Sequence, residues 1–341
     1  MRALVLPSYG PPEVFRVEER DEPHCGARDV RVRVHAAGVN FADIQARIGF
    51  YPEAPKPPCV LGYEVAGTID EVGADTDRAL IGERVMAATR FGGFAEYAVT
   101  DARNIIPLPD DMTFVQGAAV PVVYGTAFSA VCALGNVQPG ERLLVHAAAG
   151  GVGIAAVQLA RHRGAEVFGT ASPQKHDVLR EEGVAHPIDY RSGSVTEKVR
   201  AITGGAGLDV ILDPRGGAGL KESYELLRPG GRLVMYGVND IVKGETRSFF
   251  QAAKLWWGTP RFDALDMLTW SKSVLGVNML KIGDDRGHFG HVSAALTTLL
   301  RDAVVKPRVG ATFPLAQVAE AHRLIQDRKN IGKVVLVVRD E

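Results

Sequence analysis

The stretch that most restricts the fold is Arg142 to Ala160, RLLVHAAAGGVGIAAVQLA. An apolar run enters three glycines and leaves as an Ala-rich pattern with helical spacing, so a strand must turn sharply into a helix. This is the first of several such units. From about Gly140 to Leu280 the candidate strands are RLLVHA, EVFGTA, HPIDY, DVILD, RLVMYGV and SVLGVNML, alternating with helical patterns. Strands that alternate with helices imply an α/β unit, a parallel sheet covered by helices.

Is the glycine turn a phosphate cradle or only a bend? Aligned to G-x-G-x-x-G, its positions are Ala148, Gly150 and Gly153, so the fingerprint is incomplete at its first glycine. Its context is right. Gly150 and Gly151, flanked by Ala149 and Val152, would let backbone N–H groups approach a pyrophosphate at a helix N-terminus. Gly153 would let the helix lie close on the sheet. A plain strand-to-helix turn remains the alternative; the place at the first of six strands favours a dinucleotide.

Residues 1 to about 110 differ. RALVL, DVRVRVHAAGV, EVAGTIDEVG, ERVMAA and FAEYAVT are short alternating strands broken by Gly and Pro, which predicts a compact β-rich unit. Thr113 to Gly140 carries no charged residue, yet Pro121, Gly117, Gly125 and several polar residues interrupt it, so buried helices at a domain junction are expected rather than a membrane span. The tail holds an amphipathic helix at PLAQVAEAHRLIQDRK and a strand at GKVVLVV. A net charge of −1 offers no electrostatic case for nucleic acid. Three well-separated cysteines, with MRALVL opening directly on a strand, fit a reducing, cytoplasmic setting.

VHAAAGGVGIAAVQLA, AAGVNFADIQARIGFYP, LGYEVAGTIDEVG and NIGKVVLVV together resemble the medium-chain dehydrogenase/reductases, in particular their zinc-free quinone oxidoreductase branch. Within that branch, GTASPQKHDVLREEGVAHPIDY and Trp256–Trp257 are similar to the synaptic vesicle membrane protein type. The resemblance spans nearly the whole chain. It implies a GroES-like catalytic domain, 1–121 with 285–341, and a Rossmann doubly wound domain, 122–284, usually in a homodimer.

It also implies where the chemistry lies. Zinc members carry a cysteine after AAGV and a Gly-His-Glu further on; here those positions read Asn40 and Tyr63, poor zinc ligands beside thiolate and imidazole. The structural four-cysteine lobe is also missing, so no metal is expected, and His288 and His291 read as surface histidines of a polar loop. Hydrogen-bond donors must then polarise a carbonyl. Asn40 could donate to a quinone or enone oxygen. Asp43 orients neighbours or caps the helix FADIQARIG. Tyr51 and Tyr63, with Tyr124 behind them, are candidate donors; packing is the ordinary role of a tyrosine. Tyr124, Thr126, Tyr236, Gly237, Asn278 and Lys333 match positions at the cofactor cleft. Val123 stands where related sequences often carry Asn, which bears on the pocket's polarity. The second strand ends in Ala171–Ser172 with no carboxylate, and Ser172, Lys175 and Tyr190 resemble contacts to a 2′-phosphate, so NADPH is expected over NADH. Alternatively, Ser172 caps a helix and Lys175 is solvated.

The segment GETRSFFQAAKLWWGTPRFDALDMLTW is unusually aromatic. Core or dimer packing is its favoured role, ahead of a pocket wall or a lipid contact. The function expected is NADPH-dependent, metal-free hydride transfer to a small-molecule quinone or α,β-unsaturated carbonyl. The alternative is an NADPH-binding, weakly catalytic protein acting through partners or a membrane surface.

Overall fold

The computed structural model describes residues 1–284 and 288–339. The N-terminal part contributes β1 (Arg2–Leu6), β2 (Arg16–Glu19), β3 (Asp29–Val39), β4 (Cys59–Val60), β5 (Glu64–Val72), β6 (Arg84–Ala88), β7 (Tyr97–Asp101) and β8 (Ile105–Pro107). β3 is the spine. Its alternating Val30, Val32 and Val34 are wholly buried, with Leu61, Phe94 and Leu336 in the same core, as period-two patterning requires of a strand with one buried face.

The middle of the chain forms β9 (Arg142–Val145), β10 (Glu166–Ala171), β11 (His186–Asp189), β12 (Leu208–Asp213), β13 (Leu227–Met235) and β14 (Ser273–Gly276). They lie in the order β11-β10-β9-β12-β13-β14, and every neighbouring pair is parallel. The order reverses between β9 and β12. In a doubly wound sheet such a switch point opens a crevice at the carboxyl ends of the strands.

The tail returns to the first unit as β15 (Val309–Pro314) and β16 (Lys333–Val337), giving a seven-stranded sheet of order β15-β16-β3-β5-β6-β8, with β7 also on β3. A further sheet runs β2-β1-β4. The resulting fold is a GroES-like sheet unit joined to a Rossmann-like parallel sheet. At the joint the two units are bonded directly: Gly332 N–H donates to the Ala149 carbonyl at 2.8 Å, and Gly150 forms a parallel bridge with Gly332.

α1 (Phe41–Arg47) follows β3. The uncharged stretch becomes α2 (Phe114–Gly117), α3 (Pro121–Phe128) and a π-helical turn, Ser129–Ala133. Residues 114–133 are long and apolar enough to cross a membrane, but 78% of that window is buried within the fold. The expected buried helices are therefore what forms.

Two expectations need correction. His288 and His291 belong to a helix, His288–Arg301, rather than a polar loop; the His288 side chain lies outside the described residues, and His291 is exposed. Of the two roles expected for the aromatic segment, core packing or a dimer contact, core packing is not what forms. The segment makes the helices Phe249–Gly258 and Ala264–Trp270, with Phe250, Trp256 and Trp257 exposed by 75%, 77% and 87%. The local pattern shows helices of apolar residues; whether another element covers them is a tertiary matter.

Candidate functional site

A cleft of about 1100 Å³ runs between the two units. Its floor at one end is α4 (Gly151–His162), entered from β9 through the glycine loop. Gly150 is the N-cap and provides no side-chain cap, so the N-cap residue does not close off the N–H end of the helix at the cleft. The glycines have steric reasons. A Cβ on Gly151 would press on Val123 at 3.1 Å, and one on Gly153 would lie 2.6 Å from the Ala148 carbonyl. Ala149, Gly150, Gly151, Val152 and Gly153 all line the cleft. This glycine turn, at a helix N-terminus and a switch point, fits the pyrophosphate of a dinucleotide.

Further along the same end lie Ser172, Lys175 and Tyr190. Ser172 is the N-cap of the turn Pro173–Lys175, but its hydroxyl makes no capping bond. Lys175 is not freely solvated. Its ammonium donates to the carbonyls of Arg328 (2.7 Å) and Asn330 (2.6 Å). Burial, then the charge of Arg191, lowers its pKa. Arg328 and Asn330 also line the cleft; the sequence reading did not single them out, because they reach it only through the returning tail.

At the other end, Asn40, Tyr51, Tyr63, Thr126, Tyr236, Gly237, Asn278 and Lys333 share the cleft. Asn40 closes β3 and caps α1. Its Nδ2 donates to Glu64 Oε1 (2.9 Å), and its Oδ1 accepts from Lys333 Nζ (2.6 Å). Lys333 and Glu64 form an ion pair, 3% and 0% exposed. Asp43 sits beneath this floor, outside the cleft lining. It accepts from the N–H groups of Asn40 (2.8 Å) and Gly62 (3.1 Å), so it both caps α1 and orients its neighbours. Burial pushes its carboxyl up to about 7, against those two bonds and the Lys333 charge.

The Tyr63 hydroxyl is buried and has no hydrogen-bond partner, an uncommon state for a buried polar atom. Burial, then the Asp43 charge, pushes its pKa far up, so it stays protonated. The half-buried Tyr51 ring meets it edge-on at 5.9 Å. Tyr124 is a correction: its hydroxyl donates to Gln158 at 2.7 Å, toward α4, and the residue does not line the cleft. On α3 the 126 side chain faces the cleft and the 124 side chain does not, a consequence of helical phase. Thr126 Oγ1 donates back to the Val122 carbonyl (2.7 Å), and Asn278 Nδ2 to Glu53 (3.2 Å).

A second polar group, absent from the sequence reading, underlies the glycine loop. Arg215 pairs with Asp213 (2.6 Å) and contacts His146 Nε2 (3.1 Å); Ser223 donates to Asp213 (2.8 Å). Burial, then the neighbouring Arg215, lowers the His146 pKa to about 3. Burial disfavours the Asp213 charge, but His146 and Arg215 hold its carboxyl down to about 2. His146 and Arg215 border the cleft. The available signal was DPRGG after a strand; the partnership spans 69 residues, beyond any local pattern.

A GroES-like unit facing a doubly wound sheet across a cleft with a glycine turn at its switch point is the architecture of the nicotinamide-dependent oxidoreductases. Residues 26–110 match the alcohol dehydrogenase GroES-like domain, and residues 182–336 match the zinc-binding dehydrogenase family. The chain belongs to the medium-chain dehydrogenase/reductase superfamily. It is 38% identical to the synaptic vesicle membrane protein VAT-1 homolog of Danio rerio, over 98% of this chain and 69% of that protein. Among solved structures it is similar to the quinone oxidoreductase of Pseudomonas syringae (TM-score 0.86, 28% identity, 99% of each chain). A mycobacterial protein complexed with NADPH gives 0.86 at 28% identity, over 99% of this chain and 100% of that one. The CurK enoyl reductase gives 0.84 at 28% identity, over 98% of each.

Proposed function

We propose that this protein is an NADPH-dependent reductase of quinones or α,β-unsaturated carbonyls that works without a metal. The observation that carries the reading is one cleft lined both by the glycine turn and by Tyr63, whose buried hydroxyl has no hydrogen-bond partner within the protein. The dinucleotide, when bound, supplies the hydride. The chain's own residues position the reactants and hold the oxygen that gains charge. Tyr63 stays protonated and donates to it, with Asn40 as a second donor, and such donors act most strongly in a water-poor site.

Ser172, Lys175, Tyr190 and Arg328 surround the end where a 2′-phosphate would lie, and β10 ends without a carboxylate to repel it; both support NADPH. The donor set does not suit zinc. Asn40 and Tyr63 replace thiolate and imidazole, an ammonium already pairs with Glu64, and no group of three or more metal-binding side chains occurs among the described residues. An NADPH oxidation assay across quinones and enones tests the reading, with elemental analysis for zinc alongside it. Turnover that requires one zinc per chain, or no turnover with any acceptor, counts against it.

The exposed Phe250, Trp256 and Trp257 favour keeping a second reading: a cofactor-binding protein that acts through a partner, a second copy of itself, or a lipid surface. Light scattering separates the homodimer from the monomer, and liposome flotation tests the lipid contact.

A further inference from the structure

Asn40 is the one proposed donor whose direction the local chain cannot set, because an amide offers a carbonyl and an NH2 of nearly equal shape. Its surroundings do set it. On one side lies Glu64, which only accepts; on the other lies Lys333, which only donates. Nδ2 meets Glu64 Oε1 at 2.9 Å and Oδ1 meets Lys333 Nζ at 2.6 Å. A flipped amide would face carbonyl to carboxylate and NH2 to ammonium, two repulsive contacts in a buried site. Glu64 is itself held, its Oε2 accepting from Val122 N–H at 2.8 Å. Gly38 leaves room for it: a Cβ there would lie 2.7 Å from Glu64 Oε1. The second Nδ2 hydrogen has only a long contact, 3.4 Å to the Gly38 carbonyl, and is the one able to serve an acceptor in the cleft.

We propose that Glu64 and Lys333 are a positioning pair that locks the Asn40 amide in its donating orientation. This rests on the reductase reading and adds to it two residues that need not touch the substrate. Both side chains are buried at the cleft floor and face each other and Asn40, with Asp43 near enough to feel both charges.

The test is a double-mutant cycle of Glu64→Gln and Asn40→Ala, with kcat, acceptor KM and NADPH Kd measured for each variant. A glutamine can donate as well as accept, so it no longer opposes a flipped amide, while Lys333 still holds Oδ1; the amide is freed fully only in Glu64→Gln/Lys333→Met. Removing a transition-state donor costs roughly 10²–10³ in turnover; Glu64→Gln should lose kcat by up to that factor while NADPH Kd stays within about twofold. In the Asn40→Ala background the same change should cost nothing further, because its only route is through the amide. Losses that multiply, or an unchanged kcat in Glu64→Gln/Lys333→Met, overturn the proposal. Full activity in Asn40→Ala instead overturns the donor reading, and with it this inference. If Glu64→Gln fails to fold with Lys333 left unpaired, Glu64→Gln/Lys333→Met removes both charges together; it should show the same kcat loss, and wild-type kcat would refute the pair's role.

Discussion

Lys333 donates to Asn40 at 2.6 Å although the two lie 293 positions apart. Asn40 closes a strand of the N-terminal unit, and Lys333 opens the last strand of the chain, one residue after Gly332 bonds to the glycine loop. One short segment therefore touches both ends of the cleft. Arg328 and Asn330 hold Lys175 at the phosphate end, and Lys333 holds Asn40 and Glu64 at the reaction end.

Tyr63→Phe removes a hydroxyl that bonds to nothing within the protein. Deleting an unsatisfied buried polar atom is neutral or stabilising, so Tm should hold or rise. If the hydroxyl holds the acceptor oxygen, kcat should fall roughly tenfold or more. A thermal melt with steady-state kinetics checks both. A lower Tm with unchanged kcat would assign Tyr63 to packing.

Asp43 makes stability depend on pH in a stated direction. Its folded pKa, about 7, lies above the unfolded value of about 3.9. The folded state therefore holds the proton longer. Its contribution is fully present below about pH 4, is lost as pH rises toward 7, and is constant beyond. Urea unfolding from pH 4 to 8 should show the wild type losing stability relative to Asp43→Asn over that window. Parallel curves would mean that Asp43 titrates normally.

Lys175→Ala should weaken NADPH binding roughly tenfold, the scale of one charge-assisted hydrogen bond, while changing NADH binding much less. The NADPH preference should also shrink with added salt, since the site is partly exposed. Equal Kd values for the two cofactors in the wild type at low ionic strength would remove the 2′-phosphate site. Equal losses for both cofactors in the variant would leave Lys175 only its role of tethering Arg328 and Asn330.

Gly153→Ala tests the turn itself. Its Cβ would lie 2.6 Å from the Ala148 carbonyl, a backbone atom that cannot step aside cheaply. Overpacking of this kind costs roughly 1–3 kcal/mol. Denaturant melts should show that loss, and dinucleotide affinity should fall because the loop shifts. Wild-type stability and affinity would mean that the helix relaxes freely.

Local pattern carried the fold a long way. Six apolar runs separated by helical spacing are enough to specify six parallel strands, because each run can bury its residues only between layers of helix. Alternation in DVRVRV likewise specifies a strand with one buried face. A glycine run after a strand marks the turn, since only residues without Cβ allow the close approaches seen at Gly151 and Gly153. These signals are short-range, and short-range sterics are written directly into neighbouring residues.

What only the tertiary structure decided was which side chains meet. Tyr124 and Thr126 are two residues apart and could not be told apart by resemblance, yet helical phase turns one toward Gln158 and the other into the cleft. The tryptophans of 256–257 read as apolar and are exposed, because no described element packs over them. Glu64 and Lys333 meet across the whole chain, and His146, Asp213 and Arg215 meet beneath the loop. Such contacts depend on where the returning strand β16 and the carboxyl ends of distant strands come to lie, and that is set by packing of the complete core rather than by any neighbouring residues.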